Sequence, residues 1–455
     1  FWDIFLATAG WAIATWCYVQ GGTIGQMVGL KQLLTGTFFG MTLGGLLLAL
    51  CTVISTRHGI DLWLYQRAVF GVKGATAVFI FCIMTTWGYE SINARLFAHS
   101  IIKIFKTGGI IIPEGAIPWI GMICCISGWW IAIRGPVAVR MATRIMVPSL
   151  FLVGSIIIYL VFSQYSFADL AAITPLYARN YDSPLEPYMM VMEWNLAFVF
   201  AWYACLGVLP RLVRTERQSY WGHLGGLATM MACFICIGAM TSLVMFGYCG
   251  VEDSQDPTEW LLILGGTKLG LLSLIFIGIA NITTQACSLY TISVSTKIIN
   301  PKWDYKKIVT IWAIWIAILM IWGGTWDYYQ TFLAFAGVIC GPGIIMIIVD
   351  YFIIRKQSFS VRSIFGVKGA NAYTYNKGFN IPSFIAFCAG IVAYFAVYDP
   401  INLIARSPIF LYTTATGFSM IVSGLVYWGL SMIKPVNEFL TKDRKEITSF
   451  SHTKA

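Results

Sequence analysis

Twelve apolar stretches separated by short polar connections leave this chain few ways to fold: they run over about 5–30, 34–56, 74–102, 116–133, 142–163, 192–210, 224–250, 261–294, 308–325, 329–354, 381–397 and 408–432. Most approach the roughly 20 residues that a helix needs to cross a bilayer. Inside lipid the backbone has no water to bond to, so apolar runs of this length are read as helices that satisfy their own N–H and C=O groups. Charged residues make up only 11% of the 455, and the mean hydropathy is +0.75, too little polarity to clothe a soluble domain. Secreted disulfide scaffolds, disordered tails and nucleic-acid-binding modules are excluded on the same ground. The expected fold class is an all-α polytopic membrane protein of about twelve transmembrane helices, the size of a transporter or channel.

The formal net charge of +10 reads as a topology signal rather than as the mark of an acidic partner. Alternate connections collect Arg57, Arg67 and Lys73; Arg134, Arg140 and Arg144; Arg211, Arg214 and Arg217; Lys297, Lys302, Lys306 and Lys307; and Arg355, Lys356, Arg362, Lys368 and Lys377. With Lys434, Lys442, Arg444, Lys445 and Lys454 of the tail they hold 23 of the 30 basic residues. The positive-inside rule then places both termini in the cytoplasm, while the opposite connections carry acidic clusters such as Glu252, Asp253, Asp256 and Glu259. A multi-pass monomer in the cell membrane is expected, with the lipid bilayer and a small molecule as its partners. No cleavable leader is visible, and the missing initiator Met implies a cytoplasmic stretch ahead of Phe1. Nearly all of the 12 Cys fall inside spans; Cys233 with Cys236, and Cys124 beside Cys125, lack neighbouring His and are read as small apolar residues. The longest polar connections, about 164–191 and 355–380, are too short for a separate domain, so function belongs to the bundle.

Polar or helix-disrupting residues at membrane depth are costly, and four segments stand out. The first span, Gly10 to Gly22, combines small residues with Gln20 and the Gly21–Gly22 pair; such a helix can unwind and offer bare carbonyls to a cation, or simply pack closely. The third carries Trp87 and Glu90, three apart and so on one helix face, with Glu90 either a substrate or proton site or a structural partner of Arg95 or a hydroxyl. The sixth, Phe198 to Gly207, sets aromatic beside small residues, as a flat ligand would want. The eighth holds Asn281, Thr283, Thr284, Gln285 and Ser288; its hydroxyls suit an alkali cation, or else bond back to their own helix.

At these segments the sequence resembles the nucleobase-cation-symport-1 family. The match is carried by Gly21 to Gly25, the stretch from Gly59 through Arg67 to Gly74, Pro148, Arg214 with Arg217, Thr283–Thr284 followed by Leu289–Tyr290, Asp350–Tyr351 before Arg355–Lys356, and Tyr373 to Asn380. The resemblance implies a five-plus-five inverted repeat (LeuT-like) with two peripheral helices, and secondary active import of a purine, pyrimidine, hydantoin or allantoin type of heterocycle by alternating access. It implies a core at 1–354 with repeats about 1–163 and 192–354, a cytoplasmic loop at 355–380, peripheral helices within 381–432 and a tail at 433–455. It also implies that a planar ring lies between Trp87 and Trp202, with Glu90, Asn281, Gln285, Ala201 and Cys205 around it. Sodium would be held by the Gly10 and Ala14 carbonyls with Thr283 and Thr284, and no other cofactor is implied. Asn281 would join that shell or orient the ligand.

Two departures qualify the resemblance. Met84 stands where some relatives carry a Gln for the edge of the base, and Glu90 is outside the family pattern; a carboxylate there would favour a ligand rich in N–H donors. Competing readings are a proton-coupled carrier using Glu90, an amino-acid carrier of the same fold, a membrane enzyme and a passive channel. Against an enzyme, His58, His223 and His452 are placed in loops or the tail and His99 near a span end. Against a channel, no ring-forming filter motif is present. Asp350, beside Arg355, is read as a structural or gate-side ion pair.

Overall fold

The computed structural model describes residues 1–181, 183–252, 255–367 and 370–443, with the side chains of 178 and 179 set aside. Asp253, Lys368, Arg444, Lys445, His452 and Lys454 lie outside the described residues. Among the described residues, nine helical segments are long and apolar enough to cross a membrane: Leu30–His58, Val72–Thr107, Glu114–Ala132, Pro136–Phe162, Glu216–Cys249, Pro257–Ile299, Tyr305–Trp322, Tyr329–Ile354 and Ala415–Met432. The other three expected spans exist but are not continuous long helices. Span one is split into Trp2–Ala12 and Thr15–Met27, span six runs as Leu185–Phe200 and then tightens into a 3₁₀ turn at Ala201–Cys205, and span eleven is Ile381–Val397. Span twelve begins at Ala415, later than the hydropathy suggests, because Thr414 turns the chain at φ +58° and caps the new helix through Gly417 N–H.

The contacts between spans obey a rule that no local reading of the sequence contains. The second half of span one lies along span seven, and span six along span two; span five packs on span eight, and span ten on span three; span four packs on span three, and span nine on span eight. Exchanging spans one to five with spans six to ten maps each of these pairs onto another, as a pseudo-twofold relation requires.

Glycines set the closest of these approaches. A Cβ on Gly21 would stand 2.2 Å from the Ile235 carbonyl oxygen, one on Gly25 2.3 Å from that of Ala239, and one on Gly238 2.6 Å from that of Tyr18. Gly21 and Gly22 are therefore not the break in span one. They sit inside its second helix, where missing side chains let two backbones touch, the close-packing alternative for that segment. Gln20, expected at an unwound turn, instead accepts from Gln330 Nε2 of span ten at 3.2 Å.

Spans eleven and twelve are fastened to the rest by a carboxylate. Glu193 of span six is wholly buried and accepts from Thr416 N–H at 2.8 Å and Thr416 Oγ1–H at 2.6 Å, at the start of span twelve. The basic face of the bundle is closed by a second buried cluster. Arg355 Nε donates to Asp350 at 2.8 Å, Nη1 to Asp443 at 2.6 Å, and Nη2 to the Leu440 carbonyl at 2.6 Å and Tyr375 Oη at 2.9 Å. Tyr65 and Tyr427 hydroxyls donate to Asp350 at 2.6 and 2.8 Å. On the opposite face Asp256 takes His99 at 2.9 Å and Lys103 at 2.7 Å. Burial pushes the Asp256 carboxyl up, but the Lys103 ammonium and His99 outweigh it and hold the group below the usual carboxylate range.

Two substitutions test this account by thermal unfolding in detergent. Gly25→Leu inserts a side chain where two backbones meet and is expected to destabilise by about 1–3 kcal/mol or to block folding; an unchanged melting curve would contradict the packing described. Arg355→Gln leaves two buried carboxylates facing a neutral amide, and removing one partner of such a pair costs about 3–5 kcal/mol. A loss below about 1 kcal/mol, as for an exposed pair, would show the cluster to be solvated.

Candidate functional site

Three interruptions in helical structure meet in the middle of the bundle. In span one, Ile13 and Ala14 are extended, with ψ 106° and 166°, before Thr15 restarts the helix. The Ile13 N–H still closes on the Ala9 carbonyl and the Cys17 N–H reaches the Ala14 carbonyl, so each half-helix terminates its own ladder. In span three, Trp87–Tyr89 forms a 3₁₀ turn between Val72–Thr86 and Glu90–Thr107. Gly88 is needed there, since a Cβ would lie 2.1 Å from the Phe332 ring. The third interruption is the turn at Ala201–Cys205 in span six.

Between them lies a small cavity lined by Trp16, Thr86, Trp87, Tyr89, Glu90, Phe198, Ala201 and Trp202. A second, smaller one lies against it and shares Trp87 and Trp202; its other walls include Gly10, Trp11, Met146, Thr284, Cys287, Ser288 and Thr291. The structure thus brings together Trp87, Glu90, Ala201 and Trp202 in one cavity, and Gly10 and Thr284 in the other. Cys205 lines neither; its thiol turns back toward the Trp202 carbonyl at 3.5 Å. Gln285 is directed at span four, where it packs on the bare face of Gly128.

The expected sandwich takes a different form. Trp87 and Trp202 stand edge to face, 6.5 Å between centroids and 77° between planes, the arrangement that indole quadrupoles favour over a parallel slot. Trp202 stacks instead on Trp11, at 6.3 Å and 11°, and meets the edge of Trp16 at 6.1 Å. Trp11 and Trp16 were not anticipated as a pair. On an unbroken helix, residues five apart point about 140° away from each other, so only the break at Ile13–Ala14 lets both reach Trp202. Nor does Met84 face the cavity: its side chain is exposed on the outside of the bundle, and Thr86 supplies the polar atom nearby.

Glu90 is buried, and its partners are neutral. Asn93 Nδ2 donates to Glu90 Oε2 at 2.8 Å, and Ser288 of span eight supplies a further hydrogen bond. Arg95, weighed as its partner, turns away to Asp327 at 3.8 Å and lies over the Trp326 ring. Asn281 is wholly buried, with Oδ1 facing the Thr15 hydroxyl at 2.5 Å. Thr283 donates to the carbonyls of Ile279 and Ala280, whereas Thr284 Oγ1 has no hydrogen-bond partner among the described residues. Donation does not disqualify Thr283 as a cation ligand, since a hydroxyl keeps its lone pairs. His223, placed in a loop by the sequence, is in fact buried in the first turns of span seven, with Nδ1 on the Ser219 carbonyl at 2.7 Å.

Known proteins share this architecture. The chain is 16% identical to Mhp1, a nucleobase-cation-symport-1 transporter; an inward-facing structure of it superposes with a TM-score of 0.77 over 96% of this chain and 90% of that one. A closed structure of the same transporter with bromovinylhydantoin bound gives 0.72, covering 96% and 92%. The shared fold is the five-plus-five inverted repeat that the pairing of spans displays. In sequence the chain is 22% identical over 402 residues to a purine-uracil permease of Arabidopsis thaliana, covering 82% of this chain and 65% of that longer protein. It is 20% identical over 406 residues to a hydantoin permease of Microbacterium maritypicum, covering 85% and 79%. Residues 2–414 match the profile of the permeases for cytosine/purines, uracil, thiamine and allantoin, and the chain belongs to that family of membrane transporters.

Proposed function

We propose that this transporter imports a planar N-heterocycle of the purine, pyrimidine, hydantoin or allantoin type together with sodium. The observation that carries the reading is the cavity where indoles and the Glu90 carboxyl face one another at the meeting point of the helix breaks. Indole faces recognise a ring plane, and a carboxylate accepting from two adjacent N–H groups recognises its edge. Because Trp202 rests on Trp11, capture of a ring between Trp87 and Trp202 requires the Trp202 indole to swing, which ties binding to movement of span six against span one.

Gly10 and Ala14 of span one, with Thr283 and Thr284 of span eight, are assigned to the sodium ion; Thr284 and Gly10 already share a cavity wall. Sodium binding stabilises one arrangement of the two halves, the heterocycle binds to it, and the halves rock about the central site. The basic face is assigned to the cytoplasm, along with both termini. We read the core as 1–354, the loop as 355–380 and spans eleven and twelve as its flank, acting as a monomer. A proton-coupled variant is favoured by one observation, that no cation partners Glu90 among the described residues.

The test is thermal stabilisation of the purified protein by adenine, uracil, hydantoin, allantoin and a panel of amino acids, in sodium or choline buffer. A heterocycle that stabilises in sodium alone is the expected result. Stabilisation only by amino acids would overturn the assignment, and a sodium-independent but pH-dependent response would move coupling to Glu90. Trp87→Ala and Trp202→Ala are each expected to weaken heterocycle affinity by about tenfold or more, which is 1.4 kcal/mol; full affinity in both would remove the indoles from the site.

A further inference from the structure

Thr15 opens the second half of span one, and its hydroxyl faces two amide oxygens: Asn281 Oδ1 of span eight at 2.5 Å and Asn93 Oδ1 of span three at 3.2 Å. All three side chains are fully buried. A hydroxyl carries one proton, so it serves one of those oxygens well and the other poorly. The break in span one is what frees it for this choice. Thr283, in mid-helix, spends its proton on the carbonyls of its own preceding turn, whereas Thr15 follows the extended Ile13–Ala14.

The two acceptors lead to different places. Asn93 hands the interaction on, because its Nδ2 donates to Glu90, which lines the larger cavity. Asn281 stands three residues before Thr284, whose unpartnered hydroxyl lines the smaller cavity with Gly10, and Asn281 Nδ2 is itself without a partner among the described residues. One proton thus stands between the region assigned to the cation and the region assigned to the heterocycle.

We propose that Thr15 is a positioning residue that couples cation to heterocycle by turning its hydroxyl from Asn281 to Asn93. A cation whose shell takes Asn281 Oδ1 competes with the Thr15 proton for that oxygen, and the hydroxyl rotates to Asn93 Oδ1. No covalent bond changes; the proton stays on Thr15. An amide that accepts at its oxygen donates more strongly at its nitrogen, because linked hydrogen bonds polarise one another, so Asn93 fixes the Glu90 carboxylate more firmly. In reverse, a heterocycle that orders the Glu90 carboxylate holds the Asn93 amide with Nδ2 on that carboxylate and Oδ1 toward Thr15, which keeps an acceptor in place for the hydroxyl and releases Asn281 to the cation. Both ligands favour the same rotamer of one hydroxyl, and the coupling is reciprocal, as linkage demands. The inference rests on the sodium-coupled reading and specifies how this chain joins its two sites.

The experiment titrates the purified full chain with adenine, uracil, hydantoin and allantoin at low and high sodium, choline holding the ionic strength, and titrates sodium alone. In the wild type, sodium is expected to raise the affinity of a heterocycle by a factor in the usual coupling range of about 5–150. Thr15→Val, which keeps the shape and removes the hydroxyl, is expected to reduce that factor below about twofold while sodium alone still binds, and Thr15→Ser to restore it. A merely structural threonine would change stability and leave the factor intact, and that outcome overturns the relay. Should Thr15→Val fail to fold, Asn93→Leu cuts the chain at its next link and carries the same expectation. A wild type with no sodium effect on any of the four ligands would sink the sodium reading and the relay together; wild-type coupling that survives in Thr15→Val would sink the relay alone.

Discussion

A peptide group inside a bilayer must find its hydrogen bonds within the protein, and the architecture follows from where this chain leaves the regular helix that meets that demand. Long helices meet it along most of their length. The interruptions at Ile13–Ala14, Trp87–Tyr89 and Ala201–Cys205 leave the regular ladder, and each is covered by other spans; Ile13 and Ala14 are fully buried. Backbone released from a helical ladder is tolerable only in such a place. The same release redirects side chains, which is why four indoles from three spans meet at one point. Cost and use have a single origin.

Three of the buried carboxylates, Asp350, Glu193 and Glu90, are neutralised in three ways, and the contrast separates scaffold from site. Asp350 has a guanidinium and two phenols, and Glu193 has the N–H and the hydroxyl of Thr416 at the start of span twelve. Both are saturated. Glu90 has one amide, one hydroxyl and a cavity, which leaves it acceptor capacity. A carboxylate so placed is expensive unless something else visits it, which is the general reason that ionisable groups at membrane depth mark pathways.

Much of this was legible in the chain before folding. Helices stand at each of the twelve places hydropathy marked, the twelfth starting late at Ala415, and the three-residue spacing of Trp87 and Glu90 placed both on one wall. Other features could not be read locally. The glycine pair at Gly21–Gly22 looked like a hinge, yet glycine serves close packing as well as unwinding, and only the neighbouring span decides between them. The break fell two residues before Thr15, among Ala and Ile, where no propensity signals it. Trp11 and Trp16 were hidden by that error, and Glu193 by standing at the start of an apolar run, where a charge is ordinary. Gln285 and Cys205 shared segments with site residues and point elsewhere, since a helix presents every side and the sequence does not say which faces inward. The twofold relation of the spans lives in contacts between residues far apart and leaves no trace in composition.

Arg355 and Asp443 are 88 residues apart in the chain and in direct contact in the fold. At the usual pace of synthesis, about 5–20 residues per second, the arginine waits roughly 4–18 s for its second carboxylate. Through that interval spans eleven and twelve are still being made, and the guanidinium has only Asp350 to neutralise it while the loop around Tyr373 and Tyr375 has nothing to close upon. Closure of this face is therefore among the last events in the biogenesis of the protein. A chain released between Met432 and Asp443 would carry all twelve spans and lack the carboxylate that completes this buried cluster.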